Sequence, residues 1–139
     1  MHTVILGAGA LGTILGAHLA RAGEEVTLIA RGNRAAYLQE HGATITGLVD
    51  FTVPVRVVTD PSQLHEAEVL LVTVKTYDMA SALHSVKHLD VGSVASIQNG
   101  VLKNEQLAQT LDGPDCHGPC YCPGRYHVLP DQDSQSACL

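Results

Sequence analysis

The residues of this chain whose types and spacing could do chemistry are a run of glycines, two arginines, a lysine and an asparagine. Gly7, Gly9 and Gly12 stand in Gly7-Ala8-Gly9-Ala10-Leu11-Gly12. The β-branched apolar run Thr3 to Leu6 comes directly before them. A stretch with helical spacing, Leu11, Ile14, Leu15, His18 and Leu19, begins inside the loop. A G-x-G-x-x-G spacing alone is weak, because glycine is common. Between a strand and a helix it has a mechanism. The first glycine permits the tight turn, the second lets backbone approach a pyrophosphate, and the third lets the helix pack on the strand. The free N–H groups of the first helical turn then face an anion, helped by the helix dipole. The alternative is a glycine-rich turn with no ligand.

The second strand decides which dinucleotide fits. An NAD site usually places Asp or Glu at its end to hold the ribose hydroxyls. Here the strand ends Leu28-Ile29-Ala30-Arg31, and Glu24 and Glu25 come too early to reach. A guanidinium at Arg31 suits a 2′-phosphate, which it can grip with two parallel bonds. Arg34 is one helical turn on and could assist, or could be a solvated surface charge. The reading is NADP(H) over NAD(H). Two later strands also end in polar residues. Val72-Thr73-Val74 runs into Lys75, which could meet phosphate, ribose or a substrate carboxylate, or could simply end a strand. Ile97-Gln98 runs into Asn99-Gly100, where Asn99 could bond a nicotinamide ribose or a substrate hydroxyl, or form a plain Asn-Gly turn. His84 and His88, four apart on one expected helix, have no third metal ligand nearby and read as a solvated face.

These positions need a parallel α/β sheet to bring them to one edge. Strands are expected at Thr3 to Leu6, Glu25 to Ala30, Val69 to Val74 and Val94 to Ile97. Helices are expected at 10–21, 33–40, from an Asp78 cap to about 88, and at 102–111. Gly23 should end the first helix as a C′ glycine. Thr44 to Val57 reads as a hairpin or irregular β excursion, and 62–66 as a short helical turn. Strand and helix alternating at this rhythm predict a doubly wound parallel sheet of the Rossmann type over residues 1–112.

Composition bounds the rest. With 45% hydrophobic and 16% charged residues the chain suits a globular fold. Eight Lys and Arg against fourteen Asp and Glu give a formal charge of −6, which argues against nucleic-acid or membrane partners. No leader or spanning segment is read, so a soluble, cytoplasmic protein is expected.

The loop at Gly7 to Gly12, the strand ending in Arg31, the Val72-Thr73-Val74-Lys75 strand end and Ile97-Gln98-Asn99-Gly100 together resemble the N-terminal domain of the ketopantoate reductase (2-dehydropantoate 2-reductase) family. The resemblance covers about residues 1–115. It implies NADPH-dependent reduction of a small 2-keto acid in pantothenate and coenzyme A synthesis. It places the pyrophosphate at Gly7, Ala8, Gly9, Ala10, Leu11 and Gly12, the 2′-phosphate at Arg31, Lys75 beside the cofactor, and Asn99 on both nicotinamide ribose and substrate. It also implies a catalytic lysine and a substrate-positioning glutamate in a second, all-helical domain. No residue here matches either, so these 139 residues are expected to bind NADPH weakly at best and not to turn over. A related 2-keto acid or opine-type dehydrogenase fragment, or a non-catalytic NADPH-binding module, fits the same residues.

Residues 113–139 differ from the rest. They hold all four cysteines and four of the six prolines, and lack Glu and Lys. Cys116, Cys120, Cys122, His127 and Cys138 invite a zinc reading, but C-x3-C-x-C is no standard knuckle. Codons for Cys116 to Tyr126 read one base later can encode Val-Met-Gly-x-Val-Thr-Val-Leu-Gly-Ala-Thr, which resembles the family's next segment. The expectation is a frameshift, splice or pseudogene product with a disordered tail, and an exposed interdomain face open to self-association.

Overall fold

The structure, a computed structural model, describes residues 1–97 and two short strands at 121–122 and 126–127. Five parallel strands form the main sheet: β1 (His2–Leu6), β2 (Glu25–Ile29), β5 (Arg56–Val58), β6 (Glu66–Val72) and β7 (Asp90–Ser96). Their order across the sheet is β5-β2-β1-β6-β7. The chain winds outward from β1 in one direction through β2 to β5, then returns to add β6 and β7 on the other side. The order therefore reverses between β1 and β6, and in open α/β sheets ligands bind beyond the strand ends at such a point.

The sheet is covered on both faces, as parallel sheets require. Val4 and Leu6 of β1 face one way and join Leu70, Val72 and Val94 beneath Met79, Leu83 and Val86. Met79 and Leu83 belong to helix α3 (Met79–Ser85). Ile5 faces the other way, with Leu28, under Ala17 of α1 (Ala10–Arg21) and Ala35 and Leu38 of α2 (Gly32–His41). The helix α1 ends where the sequence predicts. Gly23, at φ +93°, donates to the Ala20 carbonyl and Glu24 to that of Leu19, which satisfies the last carbonyls of the helix.

Several elements differ from expectation. The buried residues of α1 are Gly12, Thr13, Gly16 and Ala17, while Leu11 and Ile14 are 45% and 43% exposed. Small residues win this face because the helix lies close on β1 and β2: a Cβ on Gly16 would stand 3.0 Å from Leu28 Cδ2. The stretch at 44–57 divides. β3 (Ala43–Ile45) and β4 (Phe51–Val53) pair as an antiparallel hairpin, and β5 joins the main sheet beside β2. β6 and β7 start earlier than their apolar centres suggest, at Glu66 and Asp90. In β6 the early residues Glu66 and Glu68 are exposed on either side of buried Ala67, so polar residues extend the ladder beyond the covered zone. The helix after Asp78 is preceded by a 3-10 turn, Thr76–Asp78, and stops at Ser85. Asp78 makes no side-chain cap bond. His88 therefore leaves the helix that holds His84, and its Nε2 lies 3.1 and 3.0 Å from the Pro61 and Leu64 carbonyl oxygens.

The expected helix at 102–111 and Cys116, Cys120 and Cys138 lie outside the described residues. Within the tail, β8 (Tyr121–Cys122) and β9 (Tyr126–His127) pair antiparallel. No helix among the described residues is long and apolar enough to cross a membrane.

Candidate functional site

The carboxyl ends of β1, β2 and β6 meet around a cleft of about 340 Å³. Gly7, Ala8 and Gly9 form its floor, Ala30, Arg31 and Arg34 one wall, and Val74, Asp78 and Ser81 the other. The loop from β1 to α1 is held from two sides by its carbonyls. Thr73 Oγ1 donates to the Gly7 carbonyl at 2.8 Å and lies 3.2 Å from that of Leu6. Ala8 O accepts from Thr13 Oγ1 at 3.2 Å and from Arg34 Nε at 3.1 Å.

Each glycine of the loop has a distinct reason. Gly7 sits at φ +111°, where side chains are strained, and a Cβ there would stand 2.8 Å from Val74 Cγ1. A Cβ on Gly12 would stand 2.0 Å from the Gly7 carbonyl oxygen. Gly9 is different. Its backbone is extended, at φ −72° and ψ −168°, and a Cβ added there would meet nothing within 4 Å. Neither conformation nor packing inside the protein asks for glycine at this position. The space it leaves open is on the cleft, at the N-cap of α1.

That helix end carries unspent donors. Thr13 N–H closes the first turn on the Gly9 carbonyl at 3.0 Å, and no side chain among the described residues caps the helix. The N–H groups of Ala10, Leu11 and Gly12 precede that first bond and have no intrahelical acceptor. An anion beside Gly9 would satisfy them and the helix dipole together.

The charged groups around this loop have separate positions. Arg31 is the exposed N-cap of α2, and its guanidinium has no hydrogen-bond or ion-pair partner among the described residues. Arg34, one turn later, is spent on the loop: besides Ala8 it donates through Nη2 to Thr13 Oγ1 at 2.9 Å. Asp78 is the carboxylate of the opposite wall. Lys75 is exposed beyond the strand end, with Nζ 5.9 Å from the centre of the Tyr77 ring, and is not part of the cleft lining. Asn99 lies outside the described residues. Thr73 and the anchoring role of Arg34 were not evident from the sequence. The sole hint was a hydroxyl at a strand end next to Val74-Lys75. Hydrogen bonding from Ser62, by its side chain and then its backbone N–H, holds the Asp60 carboxyl below the usual range, but Asp60 does not line the cleft. Among the described residues no three His, Cys, Asp or Glu side chains cluster to hold a metal.

Comparison with known proteins agrees with this geometry. A family model described as ketopantoate reductase PanE/ApbA matches residues 3–124. The 2-dehydropantoate 2-reductase of Pyrococcus abyssi (strain GE5 / Orsay) is 36% identical over 110 residues, covering 78% of this chain and 36% of that protein. The protein of the same name from Archaeoglobus fulgidus is 37% identical over 105 residues, covering 76% and 34%. A crystal structure of a PanE/ApbA family ketopantoate reductase from Ralstonia eutropha JMP134 superposes with a TM-score of 0.77 at 34% identity, over 92% of this chain and 40% of that one. The chain thus spans about a third of the length of those curated relatives. Matched over most of its residues in sequence and in fold, the chain belongs to the ketopantoate reductase PanE/ApbA family.

Proposed function

We propose that the cleft binds NADPH for the reduction of 2-dehydropantoate or a closely related 2-keto acid. The pyrophosphate lies on Gly7 to Gly12 and the adenosine 2′-phosphate on Arg31. Gly9 carries the reading: it is a glycine that nothing among the described residues requires, at a helix end whose first donors have no intrahelical acceptor and no side-chain cap among them. Arg31 supplies the cofactor preference. Its guanidinium has no partner among the described residues, and it stands at the strand end where an NAD site would hold an acid. Relatives that carry the name 2-dehydropantoate 2-reductase support the substrate class. Lys75 beside the cofactor, and Asn99 on the nicotinamide ribose and the substrate, complete the assignment from the family resemblance.

When bound, the nicotinamide supplies the hydride that reduces the ketone. The residues of this chain bind and orient it. The loop amides hold the phosphates, Arg31 sets the adenosine end, and the β1/β6 switch point aims the remainder along the strand ends. Calorimetric titration of the purified chain with NADPH and NADH tests the assignment. Replacing Arg31→Ala should weaken NADPH by about tenfold or more, the value of a charge-assisted pair, and leave NADH nearly unchanged. Equal losses for the two cofactors would count against Arg31 as the 2′-phosphate ligand.

A further inference from the structure

The two arginines of the cleft wall stand three residues apart and do different things. Arg31 has no partner among the described residues, whereas Arg34 reaches back to the first βα unit. Its Nε donates to the Ala8 carbonyl at 3.1 Å and its Nη2 to Thr13 Oγ1 at 2.9 Å, while that same hydroxyl donates to Ala8 O at 3.2 Å. The three groups close a ring that ties the head of α2 to the phosphate loop. No carboxylate forms an ion pair with Arg34 among the described residues, and the residue is exposed at the cleft.

We propose that Arg34 is a positioning residue for the pyrophosphate: it fixes the polarity of the Ala8–Gly9 peptide, and does not itself hold the adenosine phosphate. This rests on the dinucleotide reading above. A trans peptide is planar, with its C=O and N–H pointing in opposite directions. Pinning the Ala8 carbonyl toward Arg34 and Thr13 therefore turns the Gly9 N–H away from them. Thr73 does the same one peptide earlier, by holding the Gly7 carbonyl at 2.8 Å. Two successive carbonyls are thereby withdrawn, and two successive amides are set before a ligand arrives. The cost of ordering a flexible glycine loop falls on folding instead of on binding. The guanidinium suits this task because its fork reaches a carbonyl and a hydroxyl at once; a lysine ammonium is a compact point charge on a flexible stem. Its positive charge also reinforces the helix N-terminus toward an anion.

The proposal separates Arg34 from Arg31 by ligand. Titrations would use the full 139-residue chain with NADPH, NADH and 2′-AMP, which carries the 2′-phosphate and no pyrophosphate. In Arg34→Ala, affinity for NADPH and NADH should fall together by about tenfold, as expected for losing charge-assisted bonds, with 2′-AMP unchanged. Arg34→Lys should not restore it. Thr13→Val keeps the side-chain shape and removes the shared hydroxyl, and should repeat the pattern more weakly. It also serves as the second variant if Arg34→Ala folds poorly. Arg56→Ala, an exposed cation on β5, should change none of the three affinities. A loss in Arg34→Ala confined to NADPH and 2′-AMP would make Arg34 a phosphate ligand and overturn the proposal. Unchanged binding of all three would make it a surface charge and overturn it equally. A wild-type chain that binds neither dinucleotide would overturn the reading underneath and this inference with it.

Discussion

A Cβ added to Gly12 would lie 2.0 Å from the Gly7 carbonyl oxygen and 2.6 Å from Thr73 Oγ1, whereas one added to Gly9 would meet nothing within 4 Å. The first contact is with backbone, which cannot step aside cheaply. Gly12→Ala should therefore destabilise the fold by about 1–3 kcal/mol or more, the usual range for overpacking. Gly9→Ala should melt with the wild type and bind NADPH more weakly. Thermal melts without ligand, followed by titration, separate the two; a Gly9→Ala chain that loses stability as Gly12→Ala does would contradict the assignment. The spacing of the loop was legible in the sequence, but the division of labour among its glycines was not. That division depends on Thr73, which follows a strand far along the chain. Arg34 was obscure for the same reason, since its acceptors lie 26 and 21 positions away. Lys75 was legible as the first charge after a buried strand. Its ammonium above the Tyr77 ring was not, because a strand end does not tell where a long flexible side chain goes.

Helix α1 carries the loop, so its seat on the sheet fixes where the loop points. It rests on Gly12, Thr13, Gly16 and Ala17. A Cβ on Gly16 would stand 3.0 Å from Leu28 Cδ2 and 3.2 Å from Ile5 Cδ1. A branched residue here must lift the helix or distort both neighbours. Gly16→Val should cost about 1–3 kcal/mol in urea unfolding and should lower dinucleotide affinity as well, because the loop moves with the helix. Preserved binding at reduced stability would show that the loop is held independently of α1. The boundaries of α1 could be read from the sequence almost to the residue, through the loop at one end and Gly23 at the other. Its buried face could not, because the apolar residues Leu11 and Ile14 outweigh the small ones in any hydrophobic pattern. Only the nearness of β1 and β2 makes small residues the better fit. The β3–β4 hairpin and β5 were legible as β structure around Pro54. Which of them would join the main sheet depends on the open edge of β2, a partner the local sequence does not name.

At the scale of the molecule, the reversal of strand order between β1 and β6 collects the site. It sets the glycine loop after β1, the arginines after β2 and Val74 after β6 around one cleft. Alternating strands and helices made this topology legible, since few other folds follow from that rhythm. The cleft itself was legible only as an edge, because its walls are assembled from segments far apart in the chain. The central claim is that a dinucleotide rests its pyrophosphate on the N-terminus of α1. Amide NMR spectra recorded while NADPH is titrated into the chain test it most directly. The account predicts that the largest shifts fall on the Gly9, Ala10, Leu11 and Gly12 amides, with Arg31 and its neighbours next. Shifts that leave those four amides unmoved while others respond would contradict it.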